Sequence, residues 1–271
     1  MYKNIVSIVL YTYDVDQIIN LVQKVHFNNS GCLVFLIDNS SKYNIQCFKK
    51  LKFVKYIKTK SNIGFGKGHN ISINYCIEKD IKYCFIINYD IDFDIHIFNI
   101  LMQYLEDNSD VAMMMPKVVN KDNSQQWLPK LQPSPISILK RKLFQMSNCI
   151  LFRSFINKYE FRNIDTSKNY HVPNLSGCFF VLNIALLKNE AFFDERYFLY
   201  FEDYDLSRKL TLKYKTVLNN QTFVIHEYQS MANKKFNLFM IFLESYYRYF
   251  SKWGWFNSRS LKKINRIYTV N

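Results

Sequence analysis

Carboxylates gather in this chain where apolar runs stop. The segment FIINYDIDFD, residues 85–94, ends a hydrophobic run at Asn88 and then sets Asp90, Asp92 and Asp94 at alternate positions. Residues two apart in an extended turn point the same way, so Asp90 and Asp92 suit one divalent cation. Mg²⁺ and Mn²⁺ favour such oxygen ligands and keep water or phosphate oxygens in their shell. The same spacing suits a solvated loop in which Asp94 caps the following helix. The densest acid cluster, Glu202-Asp203-Tyr204-Asp205, follows an aromatic run and opens a helical pattern. Acids at a helix start are ordinary caps, and a carboxylate held there is also placed to act as general base toward an alcohol. His226 closes the run Val224-Ile225-His226. It is a structural histidine unless its strand ends beside Asp90.

Two further segments are built to receive a ligand. Ser61-Asn62-Ile63-Gly64-Phe65-Gly66-Lys67-Gly68-His69-Asn70 holds three of the six glycines within five residues, just before a helical pattern. Glycines let backbone N–H groups approach a ligand, and a helix N-terminus favours negative charge. A plain turn accounts for the same residues, and neither dinucleotide nor P-loop spacing is present. Leu36-Ile37-Asp38-Asn39 puts a carboxylate at a strand end, where it suits either the N3–H of a uracil or thymine ring or an Asx turn.

These residues need a frame that brings strand ends together. Short apolar runs at Ile5–Tyr11, Cys32–Ile37, Val54–Lys58, Tyr83–Ile87 and Val111–Met115 have strand length. Helical periodicity lies between them at 15–27, 69–80 and 94–107, the last carrying Ile97, Leu101 and Leu105 on one face. Alternating β and α predicts a mostly parallel sheet covered on both faces, with ligands beyond the carboxyl ends of the strands. Residues 117–168 break the pattern with Pro129, Pro133 and Pro135. They read as a loop or mobile insertion followed by a basic amphipathic stretch over Ile136–Ile156. A strand at Gly177–Leu182, a helix at 203–213, a strand or hairpin at Thr216–Ile225 and an aromatic helix from Lys234 to about Lys252 complete the expectation.

Composition bounds the function. At 271 residues with 49% hydrophobic content, the chain can bury a real core. The net charge of +14 is uneven: residues 117–168 and 231–271 each carry +7, and the remainder is neutral. Two basic segments on a neutral body suit a membrane surface, a pyrophosphate or nucleic acid. No nucleic-acid-binding signature accompanies the charge, so nucleic acid is not an expected partner. The six cysteines lack CxxC spacing, and several sit in apolar runs, which reads as reduced thiols of a cytosolic protein. MYKNIVSIVLYTYD is too short in its apolar run for a signal peptide, and no stretch approaches a spanning helix.

In order and spacing, SIVLYTYD, LIDNSS, NIGFGKGHN, INYD, SGCFFVL and FDERYFLYFEDYDLSRKL resemble the family 2 glycosyltransferases. The branch they are most similar to includes rhamnosyltransferases of bacterial surface polysaccharides. The resemblance implies a GT-A-type α/β fold over residues 1–230, with a mixed, mainly parallel central sheet covered by helices and an acceptor-side insertion at 117–170. A basic aromatic helical segment at 231–271 would face the membrane, with Trp253 and Trp255 near the headgroups. It implies that Thr12, Tyr13 and Asp38 hold the nucleotide base. Asn62, Gly64, Gly66 and Asn70 would shape the nucleoside and sugar pocket. Asn88 and Asp90 stand at the D-x-D position, with Tyr89 in place of the usual proline. Asp90, Asp92 and His226 would be ligands of Mg²⁺ or Mn²⁺. Asp203 matches the general base, with Glu202 beside it and Gly177 and Asp205 on the acceptor side. The implied reaction is inverting transfer from a dTDP- or UDP-sugar, dTDP-rhamnose first, to a polyprenyl-diphosphate-linked saccharide of O-antigen, capsule or a similar polymer. The implied place is the cytoplasmic face of the cell membrane, as a peripheral protein.

Overall fold

The computed structural model describes residues 2–41, 46–147, 150–226, 235–256 and 258–268. Its first half is β1 (Asn4–Leu10), α1 (Val15–Asn28), β2 (Cys32–Asp38), β3 (Val54–Lys58), α2 (Phe65–Glu78), β4 (Tyr83–Ile87), β5 (Ile91–Phe93) and α3 (Ile97–Asp107). Then follow β6 (Val111–Val119), α4 (Pro135–Ser147), α5 (Arg153–Tyr159), β7 (Tyr170–His171), β8 (Phe179–Asn183) and α6 (Ile184–Leu187). The chain continues with α7 (Glu202–Thr211), β9 (Lys215–His226), α8 (Lys235–Trp253) and α9 (Arg259–Ile267).

One nine-stranded mixed sheet runs in the order β3-β2-β1-β4-β8-β6-β9-β5, with β7 on β9. The β3-β2-β1-β4 half is parallel throughout, and β6 and β9 are also parallel. β8 runs antiparallel between β4 and β6, and β5 antiparallel on β9. Every residue of β2, β4 and β8 is buried. Continuous apolar strands, not alternating ones, are what a sheet covered on both faces requires. Because β1, β2 and β4 are parallel and β8 is antiparallel to them, three strand ends and one strand start share an edge.

Several expected boundaries move for local reasons. α2 begins at Phe65 rather than 69, so Gly66 and Gly68 lie inside its first turn. Asp94 does not cap α3; His96 occupies that position, and Asp94 Oδ1 accepts the His96 N–H at 2.9 Å in a preceding turn. The Asp90–Asp94 segment is not a simple loop, since Ile91–Phe93 pairs with β9 and sets Ile91 opposite His226. β6 runs on to Val119, through Pro116, with a register shift at Pro116/Lys117. Such a shift accommodates the missing N–H.

The described residues of the 117–168 segment are tied down, not loose. Lys130 N–H donates to Asn174 O at 3.3 Å, and Leu131 N–H to Tyr159 O at 2.9 Å. The backbone of Gln132 exchanges two bonds with the Asn265 amide of α9, at 2.8 and 3.0 Å. Arg141 and Arg162 grip the buried Glu160 from either side. The predicted start of α8 at Lys234 lies outside the described residues. Trp253 and Trp255 do not stand apart from the body: the Trp253 indole N–H donates to Asp205 at 2.7 Å, and Trp255 packs against Tyr246 and Phe250.

Candidate active site

The shared strand edge collects the acids. At the end of β2, Asp38 has no exposed surface. Its Oδ2 accepts from Tyr13 Oη at 3.0 Å, Tyr56 Oη at 2.6 Å and Lys58 Nζ at 3.0 Å, and its Oδ1 from Ser40 N–H at 2.8 Å. Burial alone would raise this carboxyl, but the bonds from Ser40, Tyr56 and Lys58 outweigh it and hold the group below the usual carboxylate range. Burial and the Asp38 charge push the Tyr13 phenol far up. Thr12, after β1, is exposed. Any direct contact between Asp38 and a base requires Lys58 or a tyrosine hydroxyl to give way.

The glycine-rich segment does a different job from the expected one. Gly64 sits at φ 87°, where a Cβ would lie 2.4 Å from Phe198 O; at Gly66 a Cβ would lie 2.9 Å from the Phe193 side chain. Phe65 N–H donates to Phe198 O at 3.0 Å. The Asn62 Oδ1 takes the Gly64 N–H at 3.0 Å. Asn70 clamps Phe193 from both ends of its amide, at 2.9 and 3.1 Å, and reaches Glu195 at 3.2 Å. These residues dock α2 on segment 193–198, which leads into α7, so any part they play in shaping a pocket comes through that loop.

Asp90 and His226 come together. Asp90 Oδ1 is buried without a hydrogen bond, and His226 Nε2 lies 3.4 Å from it. On the far side of the ring, Nδ1 meets Gln126 Oε1 at 3.3 Å, while Gln126 Nε2 donates to His226 O at 2.9 Å. The Gln126 contacts orient the ring so that Nε2 is the nitrogen facing Asp90. A buried carboxylate oxygen and an imidazole nitrogen at the same spot fit a divalent cation. Protein groups would supply two positions and leave the rest for water and phosphate. Asp92 does not join them. It alternates to the other side of β5, is exposed, and pairs with Lys24 of α1. Among the described residues no three His, Cys, Asp or Glu side chains cluster as a metal site. Asn88, between β4 and Asp90, is half-buried, and its N–H donates to Cys178 O at 2.8 Å.

Asp203 reaches the same place from α7. Its Oδ2 accepts Gly177 N–H at 3.2 Å and its Oδ1 accepts Tyr204 N–H at 2.8 Å. Each oxygen keeps a lone pair, so the carboxylate is aimed but not saturated. The neighbouring Cys178 thiol, raised to about 12 chiefly by burial, feels the charges of both Asp90 and Asp203. Gly177 and Cys178 therefore mark the point where the D-x-D position and the helix acid converge. Burial raises Asp203, against the pull of the Gly177 and Tyr204 N–H groups and of Lys130. Glu202 is also raised, by burial and by the Asp203 charge, and its Oε2 has no hydrogen-bond partner. Two adjacent desolvated acids titrate as a pair and hold a proton at higher pH than free carboxylates.

The turn that aims them is strained. Tyr200 and Phe201 are consecutive non-glycine residues at φ 69° and 65°. Each such conformation costs about 1–3 kcal/mol and persists only where packing overrules it. Here Phe201 is buried in an aromatic cluster with Tyr249 and Phe250 of α8, and Ser245 of α8 donates to Leu199 O at 2.8 Å.

Asp205, expected on the acceptor side, is engaged inside the fold. It is fully buried, taking the Lys252 ammonium at 2.9 Å and the Trp253 indole, and it holds α8 to α7. The sequence also hid Lys130. It is 5% exposed, donates to Leu128 O at 2.8 Å, and is pushed down to about 8 by burial and Arg141, while Glu160 and Asp203 oppose the shift. A lone lysine in a proline-rich loop carries no periodic signal. Lys58 was readable, being two residues beyond Tyr56 on one strand, hence on the same face.

Neither a family model nor a curated protein matches the chain. Solved structures do. The mannosyltransferase PcManGT from Pyrobaculum calidifontis, in complex with GDP-mannose and Mn²⁺, aligns over 97% of this chain and 68% of its own, with TM-score 0.58 and 10% identity. S. aureus TarS 1–349 in complex with UDP aligns over 82% of this chain at TM-score 0.52 and 13% identity, and its UDP-GlcNAc complex over 84% at 0.53 and 14%. This chain spans 60% of that TarS fragment and 37% of a longer TarS chain. The shared property is the fold, which is that of GT-A-like glycosyltransferases.

Proposed function

We propose that this chain transfers a sugar from a nucleoside diphosphate to a hydroxyl group, with inversion at C1. One observation carries the reading. Asp203, with a lone pair left on each oxygen, is held by the Gly177 N–H, and the Asn88–Asp90 segment, whose Asp90 oxygen is buried, is held by Cys178 O, so both meet at Gly177–Cys178 at the carboxyl edge of the sheet. That is the ligand edge of a parallel α/β sheet.

In this reading Asp203 accepts the proton of the acceptor hydroxyl as its oxygen forms a bond to C1. The bond from C1 to the phosphate oxygen breaks, and the nucleoside diphosphate leaves with the electron pair. The raised proton affinity of the Glu202–Asp203 pair strengthens the base, and the Gly177 and Tyr204 N–H groups fix its direction. Asp90 and His226 would hold Mg²⁺ or Mn²⁺, which when bound offsets the negative charge of the diphosphate. Tyr13 and Lys58, organised by Asp38, face the base side. Lys130 favours the ionised form of Asp203 that accepts the proton.

For the donor we favour dTDP-rhamnose, on the resemblance of the whole motif series. The TarS complexes with UDP and UDP-GlcNAc support a UDP-sugar as the second reading. The acceptor class is a lipid-linked saccharide at the cytoplasmic membrane face. A panel of dTDP-rhamnose, UDP-galactose and UDP-N-acetylglucosamine, each titrated with and without Mn²⁺, tests this. The expected result is tighter binding of one donor with Mn²⁺ and loss of that gain in Asp90→Ala. Equal titrations with and without metal would remove the metal site, and no binding of any of the three would remove the reading.

A further inference from the structure

We infer that α4, residues 150–151 and α8 together form a docking surface for an anionic lipid bilayer. The inference rests on the transfer reading only for why a lipid surface would be useful; the binding itself is independent of it. On α4 the apolar residues Ile136, Leu139, Leu143 and Met146 recur at helical spacing and are 56, 57, 40 and 77% exposed. Ile150 and Leu151 follow at 71 and 82%. On α8 a second stripe, Phe236, Phe239, Met240, Leu243 and Tyr247, is 40–75% exposed. Helices that hide one apolar face usually show water a polar one; these two show water further apolar residues.

The stripes belong to one surface. Lys142 of α4 lies over the Phe239 ring of α8 at 5.2 Å, and Ile138 of α4 packs in the same aromatic cluster as Phe242 and Tyr246 of α8. The inward faces are occupied: Arg141 turns in to Glu160, and Phe201 fills the space against α8. Apolar contiguity on this scale marks an interaction site.

Charge selects the occupant. Residues 135–159 contain Lys140, Arg141, Lys142, Arg153 and Lys158 and no acid, and on α8 the single acid, Glu244, is paired with Arg248 at 2.6 Å. An apolar stripe with lysines beside it, whose one acid is neutralised by Arg248, is the pattern of an interfacial helix on anionic lipid. A two-fold dimer through this face would bring two lysine-bearing patches together. The surface is also next to the chemistry, since Phe201 and Tyr204, which flank Glu202 and Asp203 in the chain, pack in the cluster beneath it. It adjoins the expected Trp253–Trp255 contact: the Trp253 indole N–H is taken by Asp205, and half-buried Trp255 lies against Tyr247 of the α8 stripe.

Sedimentation of the full chain with vesicles tests the proposal, comparing phosphatidylcholine alone with phosphatidylcholine plus phosphatidylglycerol. The protein should pellet with the anionic vesicles only. Leu139→Glu with Leu143→Glu, and separately Phe239→Glu with Met240→Glu, should each release it with an unchanged melting curve. Lys140→Gln and Lys142→Gln should each weaken the partition roughly fivefold. A wild-type chain that stays in solution with both vesicle types overturns the proposal. So does an α4 variant that pellets like wild type, or a discrete dimer that the same substitutions dissolve. Donor titration of the α4 variant separates the two readings: intact binding with lost sedimentation isolates the surface.

Discussion

Asp38 and Asp203 are both acids at the same sheet edge, yet their surroundings treat them oppositely. Asp38 is ringed by Tyr13, Tyr56, Lys58 and the Ser40 N–H, so burial is more than offset and the group stays ionised. Asp203 receives two backbone N–H groups, sits beside Glu202, and is raised. Burial itself therefore does not decide what an acid can do; the number of donors brought to it does. The saturated acid organises, and the under-donated pair is available to take a proton.

The largest expected break in this contrast is chemical. Asp203→Asn should lower turnover by about 10²- to 10⁴-fold while donor affinity stays near wild type, read by single-turnover transfer and donor titration. Asp90→Ala should cost Mn²⁺-supported donor affinity more than the roughly 10- to 100-fold typical of second-sphere changes; Gln126→Leu, which loosens the His226 ring, should fall inside that range. Wild-type metal dependence in Gln126→Leu would detach His226 from the site.

Stability should separate the two acids by sign. Asp38→Asn leaves Lys58 and two phenols around a neutral amide and should destabilise by about 1–3 kcal/mol at neutral pH, discounted because Lys58 is 31% exposed. The folded-state affinity of Asp38 for protons is depressed, so its contribution is present above the ordinary carboxylate range and fades as pH falls through the folded value. Asp203→Asn should instead stabilise the fold at neutral pH. The folded pair binds protons more readily than the unfolded chain does, so its penalty appears as pH rises through the raised folded value. Denaturant midpoints of both variants at acid and neutral pH check this, and equal shifts of one sign would erase the contrast. The smallest effect concerns Lys130. Lys130→Met removes a cation that favours ionised Asp203, so the acid limb of the rate profile should move up by roughly half to one pH unit.

The first half of the chain was legible and the 117–168 segment was not. β4 falls where its apolar run was read, because a strand buried on both faces leaves an uninterrupted hydrophobic mark, and β3, a partly exposed edge strand, also keeps its expected bounds. Residues 117–168 left no such mark. Their order comes from single bonds across long distances, Gln132 to Asn265 and Arg141 to Glu160, which leave no period in a sequence. Asp92 and Asp205 take partners that the sequence did not show, for a related reason. Residue spacing says which acids are close in the chain, whereas the partner that claims each one, Lys24 or Lys252, comes from another element.

What the sequence determined by itself is the alternation of buried strands and helices, and with it the edge where Asp38, Asp90 and Gly177 must appear, because apolar periodicity and turn chemistry are local. Only the tertiary structure decided which acids are neutralised, which oxygen on Asp90 is left without a donor, and which strained turn aims Asp203. Those depend on donors and packing partners delivered from distant segments, and desolvation acts through distance in space, not through position in the chain.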